Sequence, residues 1–268
     1  MALYHERHGA GEPLLLITGW TISAAVFEPV IDAYADHFEC IAYDHRGSAR
    51  SGGTSPSSMG LLADDAAALL TELGIPRAHV YGVSMGGMVA QELALRHPDR
   101  VRGLVLGGST PGGPFAPRLG PSDVLAIARG GVAERGLHAP LLFSPEFRRE
   151  QPERVRELVR HFKAHRSSVA TIAAQTYASA TFSTMARLGR LRAPTLVMHG
   201  ECDRLVPLAA SKLLAARILD AELAVVPGAG HAYALEAPDE SLELLLDWRE
   251  RRLPRSRPRE ETHVASDR

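Results

Sequence analysis

The stretch Gly82-Val83-Ser84-Met85-Gly86 constrains this chain more than any other. It closes an apolar, β-branched run from Val80 to Val83. It precedes a helical pattern in which Met88, Val89, Leu93 and Leu95 oppose Gln91, Glu92 and Arg96. A serine at the tip of so sharp a strand-to-helix turn takes a strained backbone. Side chains two positions before and two after it would collide, which accounts for glycine at 82 and 86. The hydroxyl then projects beyond the sheet, and the helix behind it turns its positive end and free N–H groups toward any oxyanion formed there. Strand, Gly-x-Ser-x-Gly and helix in that order are the context a nucleophilic serine requires. A Gly/Ser loop matching by chance has neither flank.

The rest of the chain alternates in the same manner. Residues 2 to 8 read as a weak, partly polar strand. Pro13 to Thr18 is a continuous apolar run, as in a strand covered on both faces. Residues 26 to 36 suit one amphipathic helix, with Val26, Phe27, Val30, Ile31 and Tyr34 on one side. A strand over 39 to 43, a Gly/Ser/Pro-rich loop over 47 to 58 and a helix over 60 to 73 follow. Further strands are expected at 79–83, 102–106, 195–199 and 223–226, and a last helix at 241–252. This pattern predicts an α/β fold with a mostly parallel sheet and helices on both faces. Residues 112 to 190 break the alternation and read as helices, most clearly 152–165 and 168–178. The expected organisation is therefore a core of 1–111 and 191–252, a helical cap of 112–190 inserted before the acid-bearing strand, and a polar, disordered tail of 253–268.

Composition narrows the function. A net charge of −1 gives no electrostatic reason to expect nucleic acid or an anionic membrane as partner. Two cysteines, Cys40 and Cys202, are too few for a disulfide framework. Cys202 reads as a small buried thiol. Met1 to Gly11 has no apolar core, so no signal peptide is expected, and the apolar runs are strand-sized. A cytoplasmic soluble protein follows as the expectation.

A serine hydroxyl needs a base to take its proton and an acid group to hold that base. Of 12 histidines, His231 alone follows a strand and the turn Pro227-Gly228-Ala229-Gly230, whose glycines let the chain fold back over the sheet edge with the imidazole projecting. His79 and His199 sit in strands and read as packing histidines. The acid is expected at a strand end between the serine and this histidine. His199-Gly200-Glu201-Cys202-Asp203-Arg204-Leu205-Val206-Pro207 fits. Asp203 is preferred to Glu201 because it lies further into the loop and Val206-Pro207 fixes the loop's exit. The other strand end that might supply an acid, Gly108 to Gly112, carries no carboxylate. The order is Ser84, Asp203, His231.

With these motifs in place, the chain resembles the α/β-hydrolase superfamily from about residue 4 to 252. The resemblance rests on Thr18-Gly19-Trp20, Asp44-x-Arg46-Gly47-x-x-x-Ser51, the serine turn, Gly200 to Pro207 and Gly228-x-Gly230-His231. It is most similar to 3-oxoadipate enol-lactonases, cofactor-free haloperoxidases or perhydrolases, and related serine esterases. The resemblance implies an oxyanion hole from the backbone N–H groups of Trp20 and Met85, with no metal or organic cofactor. Thr18 stands where the family usually has histidine, and Ala49 where it often has glycine. Asp44 and Arg46 are read as bracing their loop. Together these readings lead to hydrolysis of a carboxylic ester or lactone through an acyl-enzyme on Ser84. A perhydrolase or haloperoxidase, a lyase or cyclase using the same three residues, and a non-enzymatic small-molecule receptor are the rivals. In the cap, Phe143, Phe147, Phe162, Tyr177 and Phe182 are candidates for a partly aromatic lining or for simple packing. Arg129, Arg166 and His138 are candidates to meet a substrate carboxylate.

Overall fold

The computed structural model of the protein describes residues 2–113, 139–163, 165 and 167–253. Its sheet is built from β1 (His5–His8), β2 (Pro13–Ile17), β3 (Glu39–Tyr43), β4 (Ala78–Val83), β5 (Val101–Gly107), β6 (Thr195–Gly200) and β7 (Ala221–Val226). The spatial order is β1-β3-β2-β4-β5-β6-β7. β1 runs antiparallel to β3, and the other pairs are parallel. After β2 the chain steps outward to β3, then crosses back so that β4 lies on the other side of β2. The strand order therefore reverses between β2 and β4, and a crevice opens beyond their carboxyl ends. Thr18-Gly19-Trp20 leaves β2 there and Ser84 leaves β4 there.

Alternation along the strands divides the core in two. Leu15, Ile17, Ile41, Tyr43 and Val80 face one layer, with residues of α2 (Met59–Glu72) and α3 (Met85–Arg96). Leu14, Leu16, Cys40, Ala42 and Tyr81 face the other, which contains Tyr34, Leu245 and Trp248. In the middle of the sheet both faces are buried, so β2 to β6 carry mainly apolar residues, whereas the edge strand β1 is polar throughout.

One expected helix is two elements. Residues Ala24–Phe27 form a 3-10 turn and α1 covers only Ile31–Ala35. Pro29 lies between them, and its missing N–H and restricted backbone separate the two turns. The insertion between β5 and β6 contains α4 (Ala139–Leu142), α5 (Pro145–Glu150), α6 (Pro152–Lys163) and α7 (Val169–Thr181). The chain returns through α8 (Leu208–Arg217), α9 (Tyr233–Glu236) and α10 (Pro238–Arg252). Pro238 opens α10, Asp239 and Glu240 sit in its first turn, and Arg249, Arg251 and Arg252 in its last, each matched to the helix dipole. Among the described residues no helix is long and apolar enough to cross a membrane.

Candidate active site

Ser84 sits between β4 and α3 with φ 57° and ψ −119°, a left-handed conformation that few non-glycine residues adopt. Three contacts hold it there. Its N–H donates to Gly107 O at 2.7 Å, Gly87 N–H donates to its carbonyl at 3.0 Å, and the buried Ser109 hydroxyl donates to the same carbonyl at 2.8 Å. Sequence reasoning placed no role on Ser109. The collision expected at the flanking positions is real: a Cβ on Gly82 would strike the carbonyl of Gly86, and one on Gly86 the carbonyl of Ile17.

His231 and Asp203 meet as a pair. Nδ1 of the ring donates to Asp203 Oδ2 at 2.7 Å. Because the partner is a carboxylate, Nδ1 carries the proton and Nε2 is left with its lone pair. The other carboxylate oxygen accepts from Leu205 N–H at 2.8 Å and Val206 N–H at 2.9 Å. The Asp203 side chain is fully shielded from solvent, and these three donors compensate the cost of burying its charge. Glu201 instead accepts from Gly228 N–H at 2.9 Å and stays at the surface.

Ser84 and His231 share one corner of the sheet edge. The residue after Gly107 is Gly108, where a Cβ would lie 3.2 Å from His231 Cε1 and 3.5 Å from Asp203 Oδ2. Among the described residues no hydrogen bond joins the Ser84 hydroxyl to the ring, a bond that in unliganded sites is often long and closes with substrate. A buried buttress joins the two segments. Tyr81, three residues before Ser84, and Tyr233, two after His231, are hydrogen-bonded through their hydroxyls at 2.7 Å.

Of the two backbone amides expected at an oxyanion hole, that of Met85 follows the serine directly and that of Trp20 lies in the peptide that begins at Gly19. Gly19 packs beside the serine, a Cβ there lying 3.4 Å from Ser84 Cβ. Met85 is the first residue of α3, where N–H groups have no partner within the helix. Among the described residues the amide of Trp20 has no hydrogen-bond acceptor. The Trp20 indole N–H donates to Thr176 Oγ1 at 3.1 Å, which ties the side chain to α7.

Loops on either side of the site are braced as Asp44 and Arg46 implied. Asp44, wholly buried, accepts from Ala24 N–H at 2.7 Å, from Arg50 N–H at 3.1 Å and from Arg50 Nε at 2.8 Å. Arg46 pairs with Asp65. Thr18, which stands where the family usually has histidine, makes no side-chain hydrogen bond among the described residues. Its hydroxyl is buried without a partner, and the loop is held by His45 Nε2 donating to the Thr18 carbonyl at 3.1 Å. His199 is the packing residue anticipated, but it packs on the acid. Nδ1 accepts from Ser211, Nε2 donates to Val206 O at 3.0 Å, and Nε2 lies 3.5 Å from Asp203 Oδ2. Burial lowers its pKa and keeps it neutral.

A clasp joins the cap to the histidine loop. Ala232 N–H donates to Leu142 O at 2.8 Å, and Glu236 accepts from Gly230 N–H at 2.8 Å and from Ser144 N–H at 3.2 Å. Burial pushes the Glu236 carboxyl above its usual range. Nothing in the sequence pattern singled out Glu236. Among the aromatic cap candidates, Phe143 stacks on Phe147 and meets Phe162 edge-on, and Phe182 is buried in the core. These four pack the helices, whereas Tyr177 is 65% exposed. Arg129, His138 and Arg166 lie outside the described residues. Cys202, expected to be buried, is exposed, because the β6 loop turns it outward as it turns Asp203 in. Among the described residues no group of three or more His, Cys, Asp and Glu is placed to hold a metal ion.

A serine turn, an imidazole–carboxylate pair and a cap on a sheet of this order define a class. The family described as the alpha/beta hydrolase fold matches residues 12–238, and the chain belongs to that family. It is 34% identical over 249 residues to a protein of Azorhizobium caulinodans with the provisional designation carbamate hydrolase RutD, covering 92% of this chain and 94% of that one. It is similar in structure, at 31% identity, to Est816, described as an N-acyl homoserine lactone degrading enzyme. The TM-score is 0.79 and the coverage is 91% of this chain and 96% of that one. An enol-lactonase of Burkholderia xenovorans LB400 shares the fold with a TM-score of 0.78 at 23% identity, covering 92% of this chain and 95% of that one.

Proposed function

We propose that this protein is a serine hydrolase that cleaves a carboxylic ester or lactone of a small organic molecule through an acyl-enzyme on Ser84. The hydrogen bond of His231 Nδ1 to buried Asp203, beside a left-handed Ser84, carries the proposal. Residues 112–190 form the cap over the substrate, and 1–111 with 191–252 form the core that performs the chemistry. His231 Nε2 takes the hydroxyl proton as Ser84 Oγ adds to the carbonyl carbon. The oxyanion is received by the N–H groups of Trp20 and Met85, each such donor contributing about 3 kcal/mol to transition-state stabilisation. The carbonyl re-forms, the alkoxide leaves with the proton held by His231, and the acyl group stays on Ser84. Water, deprotonated by the same ring, then releases the acid. Asp203 holds the tautomer and stabilises the imidazolium between steps.

A second reading keeps the residues and changes the carbonyl. The similarity to a provisional carbamate hydrolase favours carbamates, whose carbonyl carbon carries a nitrogen and passes through a carbamoyl-enzyme. The test is a fluorophosphonate probe followed by a panel of short-chain esters, lactones and carbamates, with and without hydrogen peroxide. Labelling on Ser84, lost in Ser84→Ala, with turnover of esters or lactones, supports the first reading. Carbamates cleaved preferentially transfer the assignment to the second. Peracid formed faster than acid makes the protein a perhydrolase, and a folded wild-type chain that takes no label overturns the serine mechanism.

A further inference from the structure

The cap reaches the oxyanion loop through one buried amide. Gln175, on α7, is 1% exposed. Its Oε1 accepts from Thr21 N–H at 2.8 Å, and its Nε2 donates to Ser48 Oγ at 3.0 Å. The two bonds fix which end of the amide is which. An N–H needs the oxygen at Thr21, so nitrogen faces Ser48, itself buried. One turn earlier, Thr171 donates to Gly47 O at 2.7 Å, so α7 is sewn to the loop after β3 at two points. The next residue, Thr176, accepts from the Trp20 indole.

Trp20 is thus held at its side chain by Thr176 and at its carboxyl-side peptide by Gln175. That peptide needs holding. Thr21 has φ 63°, a left-handed conformation unfavourable for a β-branched residue, and it persists only where its surroundings impose it. The Thr21 N–H lies in the peptide plane that begins at the Trp20 carbonyl, one Cα from the plane that carries the Trp20 N–H, so holding it, together with the Trp20 side chain, restrains the Trp20 backbone on which the direction of that N–H depends.

We propose that Gln175 is a positioning residue for oxyanion stabilisation: the cap, through this side chain, sets the aim of the Trp20 amide at the carbonyl held by Ser84. The inference rests on the serine mechanism proposed above. It assigns to a cap residue an effect on the chemical step as well as on substrate fit.

The test uses the full chain with Gln175→Met, which keeps the volume and loses both bonds, and Gln175→Glu, which keeps the acceptor for Thr21. Ser48→Ala frees the far end of the amide, and Ala180→Ser on the exposed side of α7 is the control. Each is assayed on the best ester of the panel and with a boronic acid. The boronic acid adds Ser84 Oγ to boron as the proton passes to His231, and so places an oxygen where the oxyanion forms. In Gln175→Met kcat falls about 10- to 100-fold with KM nearly unchanged, and the boronic-acid affinity falls by a similar factor. Gln175→Glu recovers much of both, and Ala180→Ser matches wild type. If Gln175→Met fails to fold, Ser48→Ala decides, with kcat and boronic-acid affinity falling together by several-fold. Unchanged kcat, or a rise in KM alone, overturns the positioning role and leaves Gln175 as packing. Wild-type protein that takes no phosphonate label is a different outcome, since it removes the serine mechanism itself.

Discussion

Asp203 and His231 stand 28 residues apart in sequence and 2.7 Å apart in space, Oδ2 to Nδ1. The carboxylate's other oxygen is occupied by two backbone amides, so the acid cannot rotate away from the ring without losing both. Asp203→Asn keeps the shape and reverses the hydrogen bond, forcing the proton to the wrong ring nitrogen. The expected result is a fall in kcat on the order of 10³- to 10⁴-fold with little change in melting temperature. Glu201→Gln, one turn of chain away at the surface, leaves kcat within about twofold. Steady-state kinetics on both variants check the choice between the two carboxylates.

Among the described residues Arg50 is the one basic side chain paired with Asp44, and it also stacks its guanidinium 3.7 Å from the Tyr4 ring and pairs with Glu6. Arg50→Met strands a buried charge with only backbone donors. The cost expected is about 3 kcal/mol, read as a shift of the urea midpoint. Arg156→Met, which breaks a solvent-exposed pair with Glu153, leaves the midpoint where it is.

His79 makes stability depend on pH. Burial pushes its imidazole down to about 4, against the pull of Glu12 at 3.3 Å. Between that value and the ordinary 6.5, the unfolded chain binds a proton that the folded chain refuses. The His79 contribution is therefore full above about pH 6.5 and declines as pH falls toward 4, by at most about 3 kcal/mol. Urea titrations at a series of pH values measure the slope, and His79→Gln lessens it over that window, leaving the part due to the buried His45 and His199.

The two thiols respond oppositely to a thiol reagent. Cys40 is shielded completely and burial pushes its pKa up to about 12. Cys202 is exposed, with a pKa raised by partial desolvation and then by Glu201, Glu236 and Glu146. One equivalent of label, on Cys202 and faster at higher pH, is expected in the native protein. The second appears only on unfolding, and mass spectrometry of peptides distinguishes the two sites.

The sheet was legible because its strands are buried on both faces and so read as apolar runs, and because Gly82 and Gly86 leave few alternatives to the turn at Ser84. His231 and Asp203 were legible for a related reason: each follows a strand, and strand ends on a parallel sheet gather at one edge. The contacts that hold this edge together were not. Gln175 is one glutamine in an Ala/Thr-rich helix, and its hydrogen-bond partners come from residues 21 and 48, so no local period marks it. Glu236, through Ser144, and Ser109, through Ser84, likewise act on backbone groups distant in the chain. The outward Cys202 was misjudged because adjacent loop residues point opposite ways, and thiols are more often buried than exposed.

Leu142 and Ser144 reach the histidine loop on both sides of His231, through Ala232 and through Glu236 with Gly230. Anyone recombining this scaffold with a foreign cap to change its substrate inherits that stitch as a seam. An exchange that keeps residues 139–144 leaves His231 anchored. One that replaces them separates the loop from the backbone that steadies it, so the exchange alters turnover before it alters selectivity.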